Sequence, residues 1–368
     1  AAAAGAGGTR RWVAAAAAAS AAAGACCWLS RLGTSAASSG RSRLLSARSL
    51  ASTVSYASPC PSIAFAPSPL VRGLLRRVED CNDAAEAARS GRPLLIDGDD
   101  VGLVLPKAAA ELERFPEVFK VTDRSVEMAP GVGSSAEARS EAVAAVLKEM
   151  RSSGRVPMLE GWRNEGWPVK ASFDAPVRLV VERASGPLFG VRGFGCHVNG
   201  LVQRAGAAAE AEEPPCLWVA RRAKTKQTYP GMLDHVVAGG LSHGERPGEN
   251  VIKECLEEAS IPAELARRAR PAGVVSYSQR DETGWGVKRD VIFCYDLELP
   301  EDFKPQANDG EVESFELWDM NRVIESITGD SQEWKPNVAL VIIDMFVRRG
   351  LLAPEEVGYV DLVRSLKS

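Results

Sequence analysis

The pattern of hydrophobic and polar positions changes its period several times between residues 74 and 186. Helical spacing occupies 78–89, 107–114 and 134–150, whereas apolar runs or alternation typical of strands occupy 93–96, 119–128 and 177–181. The capping box Ser134-Ser135-Ala136-Glu137 begins the last of these helices, and Gly154 ends it. The pattern predicts a small α/β unit without recognisable chemistry, which we expect to act as a lid, a spacer or the surface of a homodimer.

A second part, 187–368, also alternates strands and helices. Strands are predicted at 217–222, 235–238, 274–277 and 291–297, and amphipathic helices at 250–259 and 338–349. The acidic, alanine-rich stretch 205–213 is predicted to be a surface loop. The pattern therefore predicts an α/β fold divided into 1–73, 74–186 and 187–368.

The helix predicted at 250–259 carries three acidic side chains on one face. Glu254, Glu257 and Glu258 lie within five positions, and residues three or four apart are neighbours on a helix surface. The predicted core-facing arc is apolar: Ile252, Cys255, Leu256, Ala259. Like charges at this spacing cost a helix about 0.2 to 0.5 kcal/mol per pair. A divalent cation would offset that cost, because Mg²⁺ prefers carboxylate and phosphate oxygens, and a solvated acidic face is the alternative.

The surrounding sequence resembles the signature of the Nudix hydrolase family, G-x5-E-x7-R-E-U-x-E-E-x-G-U with U aliphatic. The positions that match are Gly239, Glu245, Glu254, Glu257, Glu258 and Ile261. Three positions depart: Lys253 replaces the arginine, Cys255 the aliphatic residue and Ser260 the last glycine. Lysine keeps the charge and loses the planar fork, and serine puts the geometry of the helix end in doubt. The resemblance implies an α/β/α sandwich with a mixed sheet, in which the signature forms a loop, a helix and a loop.

The same resemblance implies roles for these residues. The expected ligands of Mg²⁺ or Mn²⁺ are Glu254, Glu257, Glu258 and the Gly239 carbonyl group. The expected loop residues are Gly239, Gly240, Glu245 and Lys253, with Glu245 bracing the loop or pairing with Lys253. The general base is expected to be Glu254, Glu311 or Glu313, and the sequence does not choose among the three.

Residues on both sides of the signature are candidates for substrate binding. Arg221, Arg222, Lys224 and Lys226 have the charge to bind phosphate, and solvated strand ends are the alternative. Tyr277, Gln279 and Trp285 lie where this fold commonly binds the leaving portion of its substrate. An aromatic side chain would stack on a heterocycle or attract a thiazolium ring. The alternative places Tyr277 in the core and Trp285 in a surface loop.

The stretch from Tyr229 to Asp234, together with segments such as Gly161–Glu165, resembles a branch of the family directed at thiamine diphosphate. Its plant members are predicted chloroplast proteins, and related modules are fused to thiamine pyrophosphokinase. The expected substrate is thiamine diphosphate or its damaged oxo and oxy analogues, with nucleoside diphosphate derivatives such as nucleotide sugars or ADP-ribose as the alternative. A silent diphosphate-binding module is disfavoured because all four signature glutamates are retained. An isopentenyl-diphosphate isomerase is disfavoured because Ala238 occupies the place of that enzyme's cysteine.

Charge separates the first residues from the rest of the chain. Residues 1–78 contain nine arginines and no lysine, aspartate or glutamate, which leaves 35 basic against 48 acidic residues in the remainder. This composition is typical of a disordered transit peptide, here assigned to 1–73, for a chloroplast or alternatively a mitochondrion. An uncharged stretch at 12–29 is mostly alanine, so a signal peptide or stable membrane insertion is not expected. The chain begins without methionine, so its true N-terminus is not fixed.

Cysteine and histidine usage narrows the remaining possibilities. Beyond the predicted transit peptide there are five cysteines and no C-x-x-C motif, which disfavours a disulfide framework or a zinc ribbon. The three histidines, His197, His235 and His243, are far apart in sequence and predict no histidine-based metal site. The acidic remainder without a basic stripe makes nucleic acid an unexpected partner.

Overall fold

The computed structural model describes residues 66–204, 213–242 and 244–367. The predicted transit peptide lies outside these ranges except for its last eight residues, and His243 and nearly all of the predicted loop at 205–213 also lie outside them.

The first half contains five helices and six strands in the described residues. The helices are α1 (Pro69–Cys81), α2 (Ala85–Ser90), α3 (Pro106–Leu112), α4 (Ala136–Ser153) and α5 (Gly186–Phe189). The strands are β1 (Arg92–Ile96), β2 (Asp99–Val104), β3 (Phe119–Val121), β4 (Val126–Met128), β5 (Gly166–Val169) and β6 (Leu179–Glu182). Strands β2-β1-β4-β3 form one sheet and β5-β6 a second, so this half is a small α/β unit as predicted.

The second half is built on a seven-stranded sheet. Its strands are β7 (Arg192–Val202), β8 (Cys216–Arg222), β9 (Leu233–His235), β10 (Val237–Gly240), β11 (Arg270–Arg280), β12 (Val287–Glu298) and β13 (Val312–Trp318). Its helices are α6 (Pro247–Ala259), α7 (Ala263–Ala266), α8 (Met320–Thr328), α9 (Pro336–Arg348) and α10 (Tyr359–Ser365). The order is β11-β12-β7-β8-β13, with β10 on β7 and β9 on β8. Only the β7–β12 pair is parallel among these described strands, so the sheet is mixed, as predicted.

Alternation along the strands divides the core between the two faces of this sheet. On β8, Leu217 and Val219 face a cluster that includes α9, whereas Cys216 and Trp218 face the cluster that includes α6. Helices therefore cover both faces, which gives the expected α/β/α sandwich.

Local sequence chemistry explains two departures from the predicted elements. The helix expected over 78–89 breaks between α1 and α2, where Asn82 and Asp83 accept hydrogen bonds from the backbone N–H groups of Ser278 and Arg280. The alternating stretch 119–128 is a hairpin rather than one strand, because Thr122 Oγ1 accepts the N–H groups of Arg124 and Ser125 and forms the turn.

The two halves exchange elements across the predicted boundary. Helix α1 contributes Val71, Leu74 and Val78 to the core that contains α9, so residue 74 falls inside a helix of the second half's core. In return, Trp285 from the loop between β11 and β12 packs in the core of the first half. No helix among the described residues is long and apolar enough to cross a bilayer.

Candidate active site

The signature begins where β10 ends and continues into α6. Strand β10 pairs with β7, which places Gly239 opposite Cys196. A Cβ atom on Gly239 would stand 2.4 Å from Cδ of Glu254, so the carboxylate of Glu254 occupies the space above this glycine. Only glycine allows that approach, and the same contact brings the Glu254 carboxylate next to the backbone of β10.

Helix α6 uses a different buried face from the one predicted. Val251, Cys255 and Ala259 are buried, and Glu258 joins them at 7% exposure, whereas Leu256 is 53% exposed. Leu256 was expected in the core-facing arc, and this expectation is wrong. Positions 251, 255, 258 and 259 follow the helical spacing i, i+4, i+7 and i+8, and this stripe leaves Leu256 in solvent.

The buried position of Glu258 is compensated by the neighbouring strand. Its Oε2 accepts a 2.9 Å hydrogen bond from the backbone N–H of Ala238. Burial, reinforced by Asp234, Glu254 and Glu311, nevertheless raises the pKa of the Glu258 carboxyl to about 8. A single N–H donor therefore does not offset the cost of burying the charged form of this carboxylate.

The Glu254 carboxyl, like that of Glu258, has a raised pKa, but it lies nearer to solvent. Burial, followed by the charges of Glu257, Glu245 and Glu311, raises the pKa of the Glu254 carboxyl to about 7, and Lys253 opposes the shift. Glu257 is exposed on the next turn. The carboxylates of α6 thus form an acidic group with too little positive charge around it.

The loop before α6 contains both contacts expected of Glu245. Its Oε2 accepts the backbone N–H of Ser242 at 3.1 Å, and its Oε1 accepts a hydrogen bond from Lys253 Nζ at 3.0 Å. Lys253 Nζ also lies 3.8 Å from Glu254 Oε1. Lysine therefore makes single-point contacts with two signature glutamates.

The end of α6 resolves the doubt about Ser260. Ser260 adopts the left-handed conformation, with φ 51° and ψ 30°, and Ile261 N–H donates to the Cys255 carbonyl at 2.9 Å. This is the 6→1 bond of a glycine-type helix end, formed here by a serine.

A cleft of about 840 Å³ opens above this region. Of the predicted metal and loop residues, those that line it are Gly239, Gly240, Lys253, Glu254, Glu257 and Glu258. Glu311 also lines the cleft and pairs with Lys226, whereas Glu313 is exposed outside it. Of the three candidate bases, the structure therefore brings Glu254 and Glu311 to one cleft.

The four basic candidates for phosphate binding have different surroundings. Arg222 lines the cleft but is buried in a 2.8 Å ion pair with Asp234, and Lys226 faces the cleft beside Glu311. Arg221 donates to the Gly231 carbonyl, and neither Arg221 nor Lys224 lines the cleft. Lys226 is thus the candidate of this group that is best placed for a substrate.

The three residues expected to bind the ring of the substrate also lie in different surroundings. Tyr277 is buried and still lines the cleft, where its hydroxyl donates to Asp290 Oδ2 at 2.6 Å. Gln279 lines the cleft and accepts a hydrogen bond from the Tyr229 hydroxyl. Trp285 lies outside the cleft, in the core of the first half, with Lys107 Nζ 4.4 Å from its ring centroid. Its position beside α3, rather than in a surface loop or on the substrate, could not be inferred from the flanking glycines.

The histidines expected to be isolated are paired, so that expectation is wrong. His197 Nδ1 and His235 Nδ1 lie 3.0 Å apart, and Asp234 completes a buried trio whose donor atoms lie within 4.8 Å of one another. This trio is the only such group found among the described residues, and the signature glutamates do not form one. Asp234 also accepts hydrogen bonds from Arg222 and Lys335, at 2.8 Å and 3.1 Å. Two cations on its carboxylate favour a hydrogen-bonded network over a cation site.

Pairing of β7 with β10, and of β8 with β9, brings these histidines together, and no local motif signals it. The cleft wall supplied by the first half was also missed. Its members include Trp162, Arg163, Glu165, Trp167 and Arg183.

The acidic group on α6 fits a hard divalent cation by its chemistry. Glu254 and Glu258 are carboxylates of raised pKa in the wall of a cleft, and the absence of a side chain at Gly239 lets the Glu254 carboxylate approach the backbone of β10. A cation would supply the positive charge that the one N–H group and Lys253 do not.

Comparison with known proteins gives matches to both halves of the chain. Residues 73–193 match a family described as a domain of unknown function (DUF4743), and residues 201–338 match the NUDIX domain family. The Nudix domain of Shewanella oneidensis NrtR, solved with ADP ribose, is 12% identical with a TM-score of 0.33 and covers 45% of this chain and 91% of that one.

Two proteins of Arabidopsis thaliana match much of the chain. Nudix hydrolase 20, chloroplastic, is 41% identical over 304 residues, which cover 80% of this chain and 78% of that protein. Nudix hydrolase 24, chloroplastic, is 41% identical over 297 residues, with the same coverage of 80% and 78%. Since these similarities extend across both halves of the chain, and four signature positions gather at one cleft, the protein belongs to the Nudix hydrolase family.

Proposed function

We propose that the protein hydrolyses the diphosphate linkage of thiamine diphosphate, or of its oxo and oxy analogues, with Mg²⁺ or Mn²⁺ as cofactor. Nudix hydrolases generally use divalent metal ions. The observation that carries the proposal is the group of uncompensated carboxylates, Glu254 and Glu258, in the wall of a cleft that also presents lysine and arginine side chains. A diphosphate with its cation matches both sets of charges.

In this proposal Glu254, Glu257, Glu258 and the Gly239 carbonyl hold the cation. When bound, the cation neutralises diphosphate charge and lowers the pKa of water. Glu254 lines the cleft, where its carboxylate can accept a proton from the attacking water. Water oxygen bonds to one phosphorus, the bond from that phosphorus to the bridging oxygen breaks, and a phosphate leaves. Glu311 is the second candidate for the base because it lines the same cleft.

Asp290 supports a substrate that carries a cationic ring. Its carboxylate lines the cleft and accepts a hydrogen bond from Tyr277, and it has no ion-pair partner among the described residues. A thiazolium ring beside Asp290 and Tyr277 would gain charge pairing and a cation–π contact of about 0.5 to 2 kcal/mol. Gln279 and Tyr229 stand next to this place and offer polar atoms to a heterocycle.

A chloroplast is the proposed location. The arginine-rich, acid-free first 78 residues and the two chloroplastic relatives from Arabidopsis support it. Fusion of residues 1–78 to a fluorescent protein should direct that protein to plastids in plant cells. Accumulation in mitochondria would instead indicate a mitochondrial transit peptide.

Hydrolysis of a diphosphate panel tests the proposed reaction. The full chain would be incubated with Mg²⁺ and thiamine diphosphate, its oxo and oxy analogues, ADP-ribose and nucleotide sugars, and monophosphate products separated by chromatography. Thiamine monophosphate, or the monophosphate of an analogue, is the expected product. Turnover confined to ADP-ribose or nucleotide sugars would reject the thiamine assignment, and replacement of Mg²⁺ by excess chelator should abolish any turnover.

A further inference from the structure

One wall of the cleft comes from the first half of the chain, outside the Nudix domain. Trp162, Arg163 and Glu165 precede β5, Trp167 lies on it, and Arg183 follows β6. The β5–β6 ladder pairs Gly166 with Glu182, which brings the two ends of this segment together at the cleft. The position of this two-stranded sheet therefore places two arginines in the wall of the cleft.

Arg183 is held in a fixed place beside the Nudix loop. Its Nη1 donates to Glu165 Oε2 at 2.7 Å, and its guanidinium carbon lies 5.0 Å from the centroid of the Trp167 ring. A Cβ atom on Gly240 would stand 3.0 Å from Arg183 Nη2. The guanidinium group thus lies against β10 one residue from Gly239, where Glu254 packs.

Arg163 is the neighbour of Arg183 and has a different set of contacts. Its backbone N–H donates to Glu182 Oε1 at 2.9 Å, which fixes the main chain. Its guanidinium group, half-buried, has no hydrogen bond or ion pair with any residue that the structure describes. Burial, followed by the charge of Arg183, lowers the pKa of Arg163, so the two cations repel each other. The charges of Glu165, Glu311 and Glu182 oppose this shift, and none of these carboxylates forms a hydrogen bond or ion pair with the guanidinium group of Arg163.

The acidic residues near Arg163 have other partners, and Glu182 accepts the backbone N–H groups of Arg163 and Ala184. Glu165 is committed to Arg183, and Glu311 is committed to Lys226. The cleft is therefore lined both by the carboxylates of α6 and by a guanidinium group that has no hydrogen-bonded partner among the described residues. A diphosphate with a divalent cation complements both sides at once, because the cation faces the carboxylates and the outer phosphate oxygens face arginine.

We propose that Arg163, assisted by Arg183, binds the phosphate groups of the substrate, so that the domain of unknown function forms part of the active site. The proposal rests on the proposed function for the identity of the ligand. Arginine suits this role because its planar fork donates two parallel hydrogen bonds to one phosphate. Arg163 contacts the ligand in both the bound substrate and the reacting state, so its loss acts on KM more than on kcat.

A purely structural role would give a different result. If the two arginines only joined the halves of the molecule, their replacement would lower the melting temperature and leave the affinity of folded protein for phosphates unchanged. Arg124 provides a matched control, since it is an exposed arginine of the same half, in the turn between β3 and β4 and outside the cleft.

The test compares wild type with Arg163→Ala, Arg163→Lys and Arg124→Ala. Calorimetric titration with inorganic diphosphate in the presence of Mg²⁺ measures binding, and steady-state kinetics with Mg²⁺ measures turnover of the best diphosphate in the panel. We expect Arg163→Ala to weaken inorganic diphosphate binding and raise KM by about 10- to 100-fold, the loss of one or two charge-assisted hydrogen bonds. We expect kcat to stay within about threefold, Arg163→Lys to be intermediate, and Arg124→Ala to match wild type.

Equal binding by Arg163→Ala and Arg124→Ala would overturn the proposal, as would a wild type that binds no inorganic diphosphate. Failure of the proposed function is seen separately, as absence of turnover on the whole panel, and the titration still decides whether Arg163 binds phosphate. Should the alanine variant not fold, Arg163→Met keeps the apolar stem and gives the same comparison.

Discussion

At the scale of single residues, Glu258 occupies a place that helix spacing would give to an apolar side chain. It follows Val251 by seven positions and shares the buried stripe of α6, where one N–H group from Ala238 is its hydrogen-bond donor. A carboxyl group left in this state carries a raised pKa rather than a stable charge. The cation proposed for this site would supply the positive charge that the buried carboxylate lacks.

The His197–His235 pair has a consequence for stability in acid. Burial lowers the pKa of His235 to about 4 and that of His197 well below its usual 6.5. Between pH 6.5 and about pH 4, His235 is protonated in the unfolded chain and neutral in the folded chain. The free energy of unfolding therefore falls as the pH decreases from 6.5 toward about 4. One such group contributes a slope of about 1.4 kcal/mol per pH unit.

We therefore expect His235→Gln to flatten the acid dependence of stability. Urea unfolding of wild type and variant between about pH 4 and 7.5 would measure it. The wild type should lose stability more steeply than the variant below pH 6.5, and both curves should run parallel above that value. Parallel curves throughout the range would contradict the buried neutral pair.

The residues of the signature could be identified from the sequence because the signature is long and specific. Its positions also lie close together along the chain. The histidine pair, the buried side of α6 and the arginines at 163 and 183 were not predictable in the same way. Each of these features depends on strand pairing or on packing between segments that are distant in the sequence. The periodicity of hydrophobic residues does not show such contacts.

At the scale of elements, the end of α6 stores conformational strain. Ser260 adopts a positive φ of 51°, a conformation that costs a residue with a side chain about 1 to 2 kcal/mol and costs glycine little. The helix nonetheless ends with the hydrogen bonds of a glycine cap. The signature's glycine at this position therefore serves the geometry of the helix end.

Ser260→Gly should raise stability by about 1 kcal/mol without changing the helix end. The reciprocal variant Gly154→Ser, at the left-handed end of α4 with open space around its Cα, should lower stability by a similar amount. Denaturant midpoints of both variants would measure these changes. A loss of stability in Ser260→Gly would show that the serine side chain contributes more than its strain costs.

Most long elements followed the predicted period. The predicted capping box at Ser134–Glu137 was wrong in register, because the helix begins one residue later with a simple N-cap, in which the Ser135 side chain accepts the N–H of Ala138. Strands β2, β5, β7 and β13 were missed. Glycine interrupts β2 and β7, and the adjacent polar residues Glu313 and Ser314 interrupt β13, so none of these three strands shows a clear alternation. Pairing with neighbours stabilises them despite this weak local signal.

At the scale of the whole molecule, the exchange of α1 and Trp285 ties the two halves together. Helix α1 lies in the core of the sandwich, and Trp285 from the sandwich lies in the core of the first half. The residues that the structure describes accordingly belong to one compact unit. We expect a single cooperative unfolding transition for this unit.

Trp285→Ala should lower the free energy of unfolding by about 3 to 5 kcal/mol, the range for removal of a large buried ring. Hydrogen exchange should show lost protection in α4 and in α9 alike, because the halves unfold together. Val360→Ala, at a side chain that is 63% exposed, serves as the control with little effect. Loss of protection limited to β1–β4 and α4 would contradict cooperative unfolding.

The joining of the halves also shapes the cleft, since one supplies the signature carboxylates and the other supplies Arg163 and Arg183. Sequence patterns assigned the first half no chemistry, because its cleft residues are scattered over 162–183 and the family resemblance of Gly161–Glu165 gave none of them a role. These residues reach the cleft only because of the position of the β5–β6 sheet.

The measurement that most directly tests the central claim is Mg²⁺-dependent hydrolysis by wild type, Glu258→Gln and Glu249→Gln. Glu249 is an exposed glutamate in the first turn of the same helix and lies outside the cleft. We expect Glu258→Gln to lose about 100-fold or more of the turnover on the best diphosphate of the panel while its circular dichroism stays unchanged, since a metal ligand supports several kcal/mol of charge stabilisation. Glu249→Gln should retain wild-type turnover. A Glu258→Gln protein that is folded and hydrolyses the diphosphate at a rate near that of wild type would contradict the account.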